Sequence, residues 1–139
     1  MCYNTIMLSI FPQLLDYQIY GPLILRLALG AVFLAHGYQK LANDKAGFAG
    51  YLESLKFKPG KLWAWLVTLV EFFGGVLLVL GLWTQPAALV LAIQFLVILF
   101  WVQRGKPFVA GREFDFLIFM ALLALLVLGP GAFSIDLPL

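Results

Sequence analysis

The sequence predicts an all-α membrane protein, a four-helix transmembrane bundle whose helices run up-down-up-down, each antiparallel to the next. Two observations carry this. Of 139 residues, 63% are hydrophobic and only 12% charged, which is the composition of a chain that meets lipid rather than water. Four segments of roughly 15 to 21 residues are almost wholly apolar, and the Gly- and Pro-marked breaks between them make consecutive helices reverse direction. The chain 1–139 therefore reads as a single transmembrane domain, with spans at about 22–41, 62–82, 86–102 and 113–129.

Each element has a local reason. Met1 to Tyr20 is mixed, with Pro12 and Asp16 interrupting modest hydrophobicity, and suits a short interfacial helix. Its start, MCYNTIMLSIF, has neither a basic n-region nor a small-residue cleavage site and reads as mature chain rather than a signal peptide. Pro22 fits the first turn of span one. Between spans one and two, Phe48, Tyr51, Leu52 and Leu55 fall at helical spacing, so a short surface helix is expected over Phe48 to Phe57, stopped by Pro59-Gly60. Span two ends at Gly81-Leu82-Trp83-Thr84-Gln85-Pro86, a tight turn that forces the third span to run back. The fourth span starts at Glu113 and stops at Gly129-Pro130-Gly131.

Composition also excludes. A net charge of +2 gives no footing for nucleic acid. Cys2 is the one cysteine, so no intramolecular disulfide and no dithiol relay exist within the chain. His36 is the one histidine, which rules out bis-histidine haem ligation in one subunit, and no metal site is expected. Loops 42–61 and 103–112, with the adjoining end of span one, hold every Lys and Arg except Arg26. By the positive-inside rule those loops are cytoplasmic and both termini lie outside.

The chemistry must come from polar groups inside the spans. Glu71 lies near the middle of LWAWLVTLVEFFGGVLLVLGL, where an ionised carboxylate needs a partner, water or a proton. At about 1.5 Å rise per residue, Arg26 lies about 6 Å and His36 about 21 Å from the outer edge, against about 16 Å for Glu71. The expectation is a buried polar cluster or ligand pocket of Arg26, His36 and Glu71, with Lys40 at its mouth and Gln94 contributing. Arg26, Phe33 and Lys40 are heptad-spaced and share a face with Gly30 and Gly37, which lets another helix approach closely; Gly74 and Gly75 do the same on span two. The plainer readings are a register-fixing ion pair, an interfacial histidine, a snorkelling Lys40, and Glu113 and Asp115 capping the fourth helix.

The run RLALGxxFLxHGxxKL of span one, the run ExxGGxLLxLG of span two and the terminal GPGxFSID, in that order, resemble the DoxX family of small four-helix bacterial membrane proteins. The resemblance covers Pro22 to Asp136 and places the family pattern on Arg26, Gly30, Gly37, Lys40, Glu71, Gly74, Gly75, Gly81 and segment 129–136, with Glu113-Phe114 similar to its acidic-aromatic entry to the last helix. It implies a multi-pass protein of the bacterial inner membrane. Members are associated with thiosulfate oxidation coupled to quinone, with oxidative and thiol stress, and with detoxification gene sets, and no catalytic residue follows from the resemblance.

Three functions are open. The first is a redox-linked membrane subunit with a quinone against the polar cluster, Glu71 exchanging the accompanying proton and a soluble or membrane partner supplying electrons. The second is a proton or small-solute transporter, which a four-helix chain would best build as a homo-oligomer. The third is a non-catalytic assembly subunit.

Overall fold

The computed structural model describes residues 10–43 and 45–136, and every regular element within them is helical. Cys2 and the reading of the extreme N-terminus fall outside the described residues. After a 3-10 turn at Pro12–Tyr17 come α1 (Tyr20–Ala42), α2 (Lys45–Ser54), α3 (Gly60–Leu80), α4 (Thr84–Val97) and α5 (Glu113–Leu128). A π-helical turn, Ile98–Val102, prolongs α4, and a second, Phe108–Arg112, leads into α5. Three helices are long and apolar enough to cross a membrane: Tyr20–Ala42, Gly60–Leu80 and Thr84–Val102. At 16 residues α5 is about 24 Å long, shorter than these.

The helix ends differ from the expected spans by about two residues, for local reasons. α1 begins at Tyr20, ahead of Pro22, because a proline in the first turn removes an N–H that has no intrahelical partner anyway. α3 stops at Leu80 because Gly81 turns left-handed, φ 65°, and Trp83 follows it there at φ 49°. The short helix between spans one and two forms at Lys45–Ser54, about three residues earlier than the spacing suggested, and packs on α3. Ala49 and Leu52 of α2 bury against Ala64 of α3, flanked by Phe48 and Phe57. The Glu53 carboxylate accepts from the Gly60 N–H at 2.9 Å, so a side chain of α2 satisfies a buried N–H in the first turn of α3.

The core is apolar and continuous. Leu29, Phe33, Leu78, Leu91, Phe95, Ile118, Leu122 and Leu125 come from α1, α3, α4 and α5 and are buried together, Phe33 meeting Phe95 edge to face. α1 packs on α3 and α4 on α5, with α3 on α4 and α1 on α5 completing the contacts. α1 and α3 approach each other closely along a face of glycines. A Cβ on Gly75 would lie 2.8 Å from the Leu34 backbone nitrogen, and one on Gly37 2.8 Å from the Phe72 backbone. Gly30 is placed alike, its missing Cβ 2.6 Å from the Val79 side chain, while Gly74 leaves room for Leu91 of α4.

A side chain at Gly75 must therefore part α1 from α3. Gly75→Val is expected to lower stability by about 1 to 3 kcal/mol, the range for overpacking a close-packed site. Thermal unfolding in detergent checks it, with Gly50→Val, where nothing lies within 4 Å of the added Cβ, as the tolerated control.

Candidate functional site

Polar side chains inside the helices gather at two levels. At the level of Glu71, α1, α3 and α4 bring together Lys40, Glu71 and Gln94. Lys40 Nζ donates to Glu71 Oε2 at 2.7 Å, and Gln94 Nε2 donates to Oε1 at 2.8 Å. Glu71 is buried at 3% exposure, while the Lys40 side chain retains 27%. Both carboxylate oxygens thus have a charged or amide donor, which is what burial of the ionised form demands. The ammonium also stands 4.9 Å from the centre of the Phe48 ring on α2.

This triad divides two cavities. On one side, α2, α3 and α4 line a half-open apolar cavity of about 330 Å³, its wall including Tyr51, Trp63, Val70 and Ile93 together with Lys40 and Gln94. On the other, a smaller cavity of about 150 Å³ is lined by His36, Lys40, Glu71 and Asp115 among apolar residues.

The second level lies at the far end of α1. Arg26 is 1% exposed, and each of its five N–H donors has a backbone acceptor. Nε donates to Pro130 O, Nη1 to Leu78 O and Val79 O, and Nη2 to Ala132 O and Phe133 O, at 2.8 to 3.2 Å. Two of these carbonyls belong to the last turn of α3, where the helix leaves them without N–H partners. The other three belong to the segment after α5, which Arg26 draws across the bundle end. Gly81 is required here: it is left-handed, and a Cβ on it would lie 2.7 Å from Arg26 Nη1. The tail then caps α4, since Asp136 accepts from the Trp83 N–H at 2.6 Å and the Thr84 N–H at 2.8 Å and returns its own N–H to Gly81 O.

The expected cluster of Arg26, His36 and Glu71 is therefore not what forms, and one geometric fact explains the change. Cα–Cβ bonds tilt toward a helix N-terminus. Near the start of α1, Arg26 is carried toward the N-terminal end of the helix, away from Glu71; near the end of the same helix, Lys40 is carried back toward it. His36 stands on the exposed side of α1, its Nδ1 2.8 Å from Val32 O, and reaches the carboxylate only across the small cavity. Gln94 does meet Glu71. The part played by the tail carbonyls of Pro130, Ala132 and Phe133 could not be anticipated from residue types, because these acceptors are main chain. Asp115 faces the same small cavity as Glu71 and accepts from Gln103 Nε2, besides standing in the first turn of α5.

Comparison with known proteins agrees with the residue pattern. The DoxX family model matches residues 21–104. An uncharacterized membrane protein of Mycobacterium tuberculosis, Rv3486, is 30% identical over 142 aligned positions covering 91% of this chain and 86% of that one. CatD of Bacillus subtilis, named provisionally as an oxidoreductase, is 27% identical over 116 positions, 84% of each chain. No solved structure matches.

Two outcomes follow from the geometry. Lys40→Met leaves a buried carboxylate without its cation and is expected to lower stability by about 3 kcal/mol, whereas Lys40→Met with Glu71→Met costs less than either change alone. Unfolding of the three variants in detergent measures this coupling. At the other level, burial raises the Asp136 carboxyl, but hydrogen bonds from Thr84 and Trp83 and the charge of Arg26 outweigh it and hold it below its ordinary value. A carboxyl so lowered stabilises the fold above its unfolded value of about 3.9 and loses that contribution as pH falls through the lower folded value. Between about pH 5 and pH 3 the melting temperature of the wild type should fall more steeply than that of Asp136→Asn.

Proposed function

The chain belongs to the DoxX family, and on that footing we propose that it is a membrane subunit of a redox system, holding a quinone in the apolar cavity between α2, α3 and α4. The observation that carries this reading is the placement of Lys40 and Gln94, two hydrogen-bond donors tied to a buried carboxylate, on the wall of a cavity otherwise apolar and aromatic. A quinone head presents that chemistry in reverse, a flat apolar ring whose carbonyl oxygens accept. Lys40 or Gln94 turns from Glu71 to the ligand oxygen, and Glu71 supplies the proton that accompanies reduction. The chain holds no cysteine pair and one histidine, so a soluble or membrane partner delivers the electrons. The oxidoreductase name of CatD supports the same direction.

The setting belongs to this reading. α5 is the fourth span of an up-down-up-down bundle in the bacterial inner membrane, its short length made up by the irregular turn before it. The loops carrying Lys56, Lys58, Arg104 and Lys106 face the cytoplasm, as the positive-inside rule requires, and the Arg26 level faces outward.

The test is mass spectrometry of lipophilic molecules extracted from the purified protein. A quinone near one per chain in the wild type, reduced at least tenfold in Glu71→Gln and in Gln94→Leu, is the expected result. Phospholipid alone in all three samples would overturn the quinone site and leave the assembly-subunit role as the better account.

A further inference from the structure

The small cavity on the opposite side of Glu71 differs in kind from the apolar one. Among the residues around its 150 Å³, four are titratable and come from three helices: His36 and Lys40 of α1, Glu71 of α3 and Asp115 of α5. The volume exceeds what one water needs, about 10 to 15 Å³ by such a measure, several times over, and polar partners are present on several walls. A second observation concerns the residues beside Asp115. Gln103 donates through Nε2 to Asp115, while the Oε1 of the same amide is buried and finds no hydrogen-bond partner among the described residues. Arg112, one turn before Asp115, has a buried Nε in the same condition. Buried polar atoms of this kind take water as partner.

We propose that this cavity is a water-filled proton entry to Glu71, with Asp115 as the group that passes protons from the basic end of the bundle and the Lys40–Glu71–Gln94 triad as the wall that keeps the apolar cavity dry. It deepens the reading of Glu71 as a proton donor and rests on that reading, though not on the ligand being a quinone. A proton taken up by Asp115 passes along hydrogen-bonded water to Glu71 Oε2. Only O–H bonds are made and broken, and no electron moves. Once neutral, Glu71 no longer holds the Lys40 ammonium by charge, which frees Lys40 for the ligand side. The charged and titratable groups facing Glu71 from the packed helices are Lys40 and, across the cavity, His36 and Asp115, with the neutral Gln94 on the remaining side.

Two measurements on the full chain decide it. In a Cys2→Ser background, Ile118→Cys on the wall of the small cavity should react with a charged, water-soluble methanethiosulfonate at least tenfold faster than Leu122→Cys in the core or Val70→Cys in the apolar cavity. An Ile118→Cys variant as inert as Leu122→Cys would overturn the wet cavity. Separately, protonation of Glu71 after a pH jump is followed in the infrared as the carboxyl band absent from Glu71→Gln. Asp115→Asn should slow it at least tenfold and Asp115→Glu should keep it near the wild-type rate. A reactive thiol in Ile118→Cys with unaltered kinetics in Asp115→Asn overturns this inference alone. A Glu71 that takes no proton between pH 4 and pH 9 overturns it together with the proton role proposed above.

Discussion

A guanidinium buried beside hydrocarbon must place all of its N–H groups, and much of this molecule is arranged around that demand. Arg26 finds five carbonyls. To present them, α3 must end at Leu80, the chain must turn through a left-handed Gly81, and the segment after α5 must cross to α1. Asp136 then fixes the start of α4, and the Ala132 N–H bonds to Ile19 O just before α1. One side chain thereby ties the end of α3 and the start of α1 to the terminal segment, without a direct salt bridge among the described residues. Planarity and five fixed donors make arginine suited to this, where lysine offers three donors on a point charge.

Glu71 is settled by a different device. Its charge is matched by one cation reaching from the end of α1 and by one amide, so the carboxylate is satisfied but not enclosed by main chain. Both of its partners also line the apolar cavity. An arrangement in which a buried acid is held by groups that can turn elsewhere has two states available to it. The Arg26 level has no such freedom, because every donor there is committed to backbone. Rigidity at one level and latitude at the other is the division of labour expected of a scaffold that carries a site.

Hydropathy and break residues made the membrane-crossing helices and the short helix between the first two legible, to within two or three residues at their ends. The heptad relation of Arg26, Phe33 and Lys40 beside Gly30 and Gly37 was legible too, but it was read as a face for close helix approach and left Lys40 at the mouth of the expected cluster. What the sequence alone obscured was direction along the helix axis. Equal depth of the Cα atoms suggested His36 beside Glu71, but side chains lean toward the N-terminus, which brings Lys40 in and sends Arg26 out. The tail was obscured for another reason: Pro130, Ala132 and Phe133 contribute carbonyls, and a main-chain acceptor leaves no mark on residue type. Likewise, nothing in the composition of Ile98–Val102 announces that a π-helical turn prolongs α4.

The grip on Arg26 also sets an order of events during biosynthesis. α1 emerges and enters the bilayer with its arginine already in place, yet two of the acceptors lie 52 and 53 residues further along the chain and three lie 104 to 107 residues further. Until those arrive, the guanidinium, in the second turn of α1, lacks its backbone acceptors and needs water in their place. Closure of the bundle end is accordingly a late step, completed only when the segment beyond α5 folds back, and a nascent chain halted before that point holds its first helix in the membrane with an unanchored charge.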